Sequence, residues 1–422
     1  MMKKSEILAC LKANKNISAY ELSILDKDSR ELFYVLDHLE INRAVKVKTI
    51  FIKVYVNDSK STGVSTVVVT AADDAKSLSS KLTKAVSRAK AAKNPYYPLA
   101  EKKENLKDIK NDKKDLNEVA TKVAKAVFKA DVYKNGWINS TEIFVSKFKE
   151  EFINSNGVDH ISESFKIEVE CIPTWSNKKE EFELYKFYES NKTDYKKITE
   201  EIDEILNLAK ARSVAKTLKD IKLAEDVKVL VKNDMLEYIV RTFAADLNYR
   251  SQFMHDNHYS KGDKISDTPF DLSMKPVIAG CSASRKFDSH GTLLSAVRLI
   301  AKGVAKNTYG DVQFGYYNKE EKISGNLPVA QIKADGVEYK KTPHLIIENF
   351  SSPQLESDSG YWGGEVRLAR YFDGKKYIPL TGFSIAGNIY EDIRNVKFSK
   401  EEGQTSRYKG PKYMIFEGIK IS

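Results

Sequence analysis

The sequence predicts an α+β protein of two domains, an N-terminal domain over residues 1–222 and a β-rich domain over residues 223–422. Three observations predict it. The first half runs through alternating strands and then helices, twice in the same order. From Val227 the strands shorten and glycine punctuates them, at Gly280, Gly291, Gly303, Gly310, Gly315, Gly325, Gly363, Gly364, Gly374, Gly382 and Gly387, the texture of a compact, turn-rich β domain. The 422 residues, 41% hydrophobic and 30% charged, suffice for two or three ordinary cores.

The opening MMKKSEILACLKANKN has an apolar run broken by Glu6, Lys12 and Lys15, so it reads as an amphipathic helix and not as a secretory leader. SAYELSIL (Ser18 to Leu25) alternates as a half-buried strand, followed by ELFYVLDHLE and VKVKTIFIKVYV. The turn DSKSTG leads into the β-branched run VSTVVVT. Asp73 to Lys93 has helical spacing, with Leu78, Leu82, Val86 and Ala89 on one face. NPYYP (Asn94 to Pro98) stops it, because proline lacks an amide proton and clashes with the preceding turn. A charged linker lies near 95–115.

The order then repeats. A helix from Leu116 to Phe128 precedes the strands INSTEIFVSKF and EEFINSNGVDH about the turn Asn154 to Gly157, then the strands ESFKIEVECIP and EEFELYKFYES. A helix from Tyr195 to Leu218 closes the unit, turning Ile198, Ile202, Ile205, Leu206 and Ala209 inward. Two strand-meander-plus-helix units in succession suggest an internal duplication. In the second domain VKVLV is a strand, and Leu293 to Lys302 is expected to be helical.

The net charge of +10 and pI near 9.0 invite a nucleic-acid reading, but 69 basic and 59 acidic residues are spread along the whole chain. The densest lysine run, Lys102 to Lys125, is interleaved with acids from Glu101 to Glu118, which describes a solvated linker and helix face better than a phosphate-tracking stripe. Cys10, Cys171 and Cys281 are odd in number and far apart, pointing to a reducing cytoplasm. No apolar stretch reaches membrane-span length.

Chemistry concentrates in few places. Asn233 to Phe253, NDMLEYIVRTFAADLNYRSQF, looks like a zinc-peptidase helix without its ligands, because such a helix needs paired histidines and a glutamate base. Glu237 stands alone, with Leu236 before it and Arg241 one turn on. A lone glutamate near a helix start is also a surface carboxylate meeting the helix dipole, the reading favoured here. His255 and His258, in MHDNHYS, have ligand-like spacing, and His290, Asp288 and Cys281 could complete a metal set. HDNH, however, reads as a polar exposed turn. A Cys281/His290 nucleophilic pair lacks an evident third, orienting group. Gly363-Gly364 is no phosphate loop. Tyr316, Tyr317, Tyr361 and Trp362 could line a peptide groove or serve as core and subunit contacts.

Several segments together resemble the TldD/PmbA family, almost end to end: VYVNDSKSTGVST, NPYYPLA, FINSNGVD, FDSHGTLLSAVRLIAKGVAKNTYGD, PHLIIENFSS and IPLTGFSIAGNIYEDIRNV. The resemblance implies one of two kinds of member. TldD-type chains carry H-E-x-x-x-H on a helix and a later cysteine, which hold zinc for peptide hydrolysis. TldE/PmbA-type chains keep the fold, lack the ligands and pair with a TldD-type subunit. Asp246 to Asn248 resembles the D-x-N that follows the TldD motif, and this register puts Leu236 and Arg241 at the histidine positions, Glu237 at the glutamate and Ser399 at the cysteine. It implies a TldE/PmbA-like cytoplasmic chain with no cofactor of its own. The partner is a TldD-type zinc subunit or a second copy, and the substrate an unfolded or extended peptide. The alternatives are a stand-alone homodimeric peptide- or ligand-binding protein and a peptidase with a relocated site at His255, His258 and His290.

Overall fold

A computed structural model describes residues 2–109, 114–178 and 180–422. The described residues form an α+β fold with three β-sheets. The linker expected near 95–115 falls partly on residues 110–113, which lie outside the described residues.

The first sheet is dominated by strands far longer than the local alternation suggested. SAYELSIL and the segment after it form one strand, β1 (Ala19–Val35), paired along its length with β2 (His38–Asn57), which pairs in turn with β3 (Ser61–Val69). On its other side β1 pairs with β4 (Gly136–Asn154), followed by β5 (Asp159–Asn177) and then β6 (Lys186–Ser190). Helices α1 (Lys4–Ala13) and α2 (Ala75–Ala91) pack on β1 to β3 through Ile7, Leu11, Leu78 and Leu82. Helices α3 (Leu116–Phe128) and α4 (Tyr195–Arg212) pack on β4 and β5 through Val119, Val123, Ile198 and Ile202. The closing helix ends at Arg212, one and a half turns before Leu218, capped at Ser213. Asp74, Asp115 and Asp194 cap α2, α3 and α4 with side-chain oxygens that accept otherwise orphaned amides.

Strand alternation gives this sheet two distinct faces. Leu22, Ile24, Ile50, Ile52, Ile143 and Val145 meet the helices. The opposite parity, with Glu21, Lys27, Phe148, Glu150 and Phe152, lies on the helix-free face, where the C-terminal half docks.

That half contains two sheets. One runs in the order β14 (Lys397–Ser399), β16 (Met414–Phe416), β7 (Lys228–Val231), β11 (His344–Leu355), β12 (Tyr361–Phe372), β13 (Phe383–Asn388). The other runs β9 (Val297–Ala301), β8 (Phe270–Lys275), β10 (Val329–Ala334), β15 (Tyr408–Pro411). Helix α5 (Asn233–Asp246) packs against β10 and β11, one strand from each sheet, and the three share one hydrophobic core. A short helix α6 (Tyr249–Met254) follows.

The helix expected from Leu293 to Lys302 is instead strand β9, preceded by irregular chain. Lys302 and Gly303 both adopt positive φ, +50° and +77°, and turn the chain back so that Ala301 pairs with Val304. Two consecutive left-handed residues make a tight hairpin, which overrode the local helical spacing. No helix among the described residues is long and apolar enough to cross a membrane.

Candidate functional site

Helix α5 carries Leu236, Glu237 and Arg241, the residues that the resemblance would match to ligand places. Its apolar residues recur every three to four positions, sending Met235, Leu236, Ile239, Val240, Phe243 and Ala244 into the core. Leu236 is 1% exposed and packs in the hydrocarbon core. Arg241 points out, its side chain half exposed, with Nη1 3.8 Å from Glu237 Oε1.

Glu237 is a buried residue, which corrects the surface reading. The segment after Gln404 folds over it, and the Thr405 hydroxyl donates a short hydrogen bond to Glu237 Oε2. The Arg407 amide in turn donates to Thr405 Oγ1 at 3.2 Å. Burial pushes the Glu237 carboxyl above its ordinary range, while the Thr405 hydrogen bond and the charges of Arg241 and Arg407 pull the other way.

Ser399 is not the side chain that reaches Glu237. It sits buried at the end of β14, where its hydroxyl donates to Glu401 O and accepts from the Tyr413 amide, both at 3.1 Å. Thr405 makes the contact, a residue that sequence reasoning missed. The only signal for it was its place shortly beyond the register's cysteine position. These residues do not fit zinc: Leu236 has no lone pair, the Arg241 guanidinium offers only N–H donors, and the Ser399 hydroxyl is spent on backbone.

The structure places the three candidate histidines in separate roles. His255 caps α6 in a left-handed conformation (φ +57°) and is exposed. His258 stacks on Tyr390 with ring centroids 3.8 Å apart, and its amide and that of Tyr259 each donate to the Asp246 carboxylate at 2.7 Å. His290 turns away from both and meets Glu21 on β1. Asp288 holds that turn, accepting amides from His290, Thr292 and Asn326, each at 3.0 Å. Among the described residues no cluster of three or more His, Cys, Asp or Glu side chains is arranged to hold a metal ion.

Cys281 and His290 are likewise not brought together. The buried Cys281 thiol contacts Tyr408 O at 3.6 Å and Gln404 Nε2 at 3.3 Å, and burial raises its pKa, the opposite of an activated nucleophile. Among the aromatics, Trp362 is fully buried and its Nε1 donates to Asp392 Oδ2 at 2.7 Å. Tyr317 donates to Pro95 O at 2.6 Å and packs edge-on to Tyr97, so it ties the NPYYP segment to the C-terminal half.

A cleft of about 1190 Å³ opens between the middle of the long strands and the loop 277–286, and Arg407 lies on its wall. The charge of Arg407 also acts on the Glu237 carboxyl, lowering its pKa.

Residues 225–422 match the PmbA/TldA metallopeptidase C-terminal domain. The whole chain also has the fold of several solved structures. TldE from Thermococcus kodakarensis superposes with a TM-score of 0.80 at 14% identity, covering 99% of this chain and 100% of that one. A candidate modulator of a DNA gyrase from Thermotoga maritima gives 0.80 at 13% identity, with 99% of each chain covered. A similar candidate from Bacteroides thetaiotaomicron gives 0.76 at 15%, covering 99% of this chain and 98% of that one. Among curated proteins, no sequence match is found.

Proposed function

We propose that this chain, a member of the PmbA/TldD family by its residues 225–422, is the non-zinc, TldE/PmbA-like subunit of a TldD/TldE-type peptidase assembly. The observation that carries the reading is the chemistry at the ligand places: Leu236 lies in the core, Arg241 is a cation, and Glu237 is covered by Thr405. In the zinc mechanism the glutamate base acts on a metal-bound water, which this reading leaves to the partner. In this division of labour a zinc-bearing partner supplies the activated water and the general base. This chain supplies one wall of a chamber that admits unfolded or extended peptides, held by main-chain hydrogen bonds that read shape more than sequence. The fold likeness to TldE supports it. The junction between the chain's two domains is placed near residue 222.

The test is metal content per chain on protein purified without added metal or chelator, together with peptide hydrolysis by the chain alone. Substoichiometric zinc and no hydrolysis are expected. Hydrolysis that Glu237→Ala abolishes would refute the reading. Recovery from cells as a homodimer that binds peptide, with no second chain of similar mass, would favour a stand-alone binding protein instead.

A further inference from the structure

We infer that the cleft beside loop 277–286 selects acidic peptide segments, its cations receiving the carboxylates of an extended chain. This rests on the peptide-handling reading above and names the class of peptide. Alternation decides which charges face the cleft. On β1, β2 and β4, Asp26, Asp28, Lys46, Lys48 and Lys149 have the parity of the helix side, and they are ion-paired: Lys46 with Asp28 at 3.5 Å, Lys48 with Asp26 at 3.3 Å and Lys149 with Glu151 at 2.9 Å. Lys27, Phe148 and Glu150 have the parity of the cleft side. Lys27 is paired with Glu31 at 3.4 Å, and Lys286, on the loop, with Asp108 at 3.0 Å.

Three further cations on the cleft wall, Lys192, Arg285 and Arg407, have no carboxylate within ion-pair distance among the described residues. All three are tied to one loop. Arg285 belongs to it. Lys192 follows Asn191, whose Nδ2 donates to Cys281 O at 3.1 Å. Arg407 follows Ser406, whose carbonyl accepts the Ala283 amide at 3.1 Å. One loop therefore gathers three exposed cations, opposite Glu150, an exposed carboxylate of the cleft-side parity. Charges focused in a cleft with protein walls attract anions more strongly than the same charges on an open surface.

A peptide fits this better than a nucleic acid. A base-reading channel for single strands presents aromatic platforms, whereas of the two aromatics lining the cleft among the described residues, Phe148 and Phe165, the second is buried in the helix-side core; Val47, Val277 and Ile278 are among the other apolar walls. Discrete cations between apolar patches suit carboxylates spaced along a peptide.

The experiment is fluorescence anisotropy of the full chain with three labelled probes. These are a short unfolded peptide carrying glutamates, the same peptide with glutamine in their place, and oligothymidylate of equal length. The glutamate peptide is expected to bind about tenfold tighter than the glutamine one at low salt, the scale of two partly shielded ion pairs, with the preference shrinking as salt rises. Lys192→Glu with Arg285→Glu should erase the preference, the glutamate peptide losing more affinity than the glutamine one. The milder Lys192→Gln with Arg285→Gln should reduce it, and serves if the reversal impairs folding. Equal binding of the two peptides, binding of neither, or tighter binding of oligothymidylate would overturn the inference. Peptide hydrolysis by the chain paired with a zinc-bearing family member, read separately, distinguishes the failures. Hydrolysis without acidic preference sinks only this inference, and acidic binding without hydrolysis in any pairing sinks only the subunit reading.

Discussion

His290 Nδ1 lies 3.3 Å from Glu21 Oε1, joining a turn of the C-terminal half to the first long strand across 269 sequence positions. Glu21 is 2% exposed, and its other oxygen is 3.2 Å from Lys53 Nζ. Burial pulls the imidazole down, but the hydrogen bond and charge of Glu21 outweigh it and hold His290 above its ordinary value. Burial raises the Glu21 carboxyl, and His290 and Lys53 outweigh that in turn, leaving it below the usual range. The neighbouring residue takes part too: Gly291 O meets Nε2 of the buried His160 at 3.1 Å, while His160 Nδ1 accepts the Leu106 amide. His160 is therefore neutral there, and burial lowers its pKa.

The pH dependence follows from these directions. The raised His290 contributes stability in full below about 6.5, its unfolded value, and loses it as pH rises through the folded value. The lowered Glu21 contributes above about 4.3 and loses it as pH falls through its folded value. Glu21→Gln should therefore destabilise by about 1–3 kcal/mol near pH 6, with the difference from wild type shrinking at alkaline pH. Urea denaturation across pH reads this; a deficit that stayed constant with pH would show that no charge is involved.

Leu236 and Arg241, on one helix, should respond very unequally to truncation. Leu236→Ala leaves a hole in the shared core and should cost about 2–4 kcal/mol. Arg241→Ala removes a half-exposed side chain 3.8 Å from Glu237 and should cost less than about 1 kcal/mol. Denaturant midpoints of the two variants separate a core position from a solvated one, and similar values would contradict the placement of Leu236.

Gly363 has φ +146°, and a Cβ there would lie 2.1 Å from Ile385 O on the paired strand. Gly363→Ala should destabilise by about 2 kcal/mol or more, since strain and backbone clash add. A thermal melt of that variant unchanged from wild type would remove the reason for glycine at this step.

Thiol reactivity should rank by burial. Cys171 is buried and its thiol is pushed up to about 12, and Cys281 is buried and also raised, while Cys10 is partly exposed. Under native conditions at mildly alkaline pH, Cys10 should label with a thiol reagent and the other two only after denaturation. Fast native labelling of Cys281 would reopen it as a nucleophile.

Local patterns were legible wherever they fold locally. Helix α3 spans the expected Leu116–Phe128, and α2 buries the expected Leu78, Leu82, Val86 and Ala89. Misreadings arose where distant chain decides. β1 and β2 are long because each continues to find a partner through polar stretches such as Asp26 to Arg30, which alternation of apolar residues does not mark. The run before Lys302 has helical spacing, yet two left-handed residues and a strand partner made it β9.

The sequence by itself determined that no H-E-x-x-x-H exists and that Leu236 and Arg241 offer zinc no lone pair, because donor chemistry belongs to the side chain wherever it sits. Only the tertiary structure decided that Thr405, 168 positions away, covers Glu237, that His290 leaves the other histidines for Glu21, and that three cations gather at one loop. Such contacts depend on sheet register and on how two sheets enclose a helix, which no periodicity within a single element encodes.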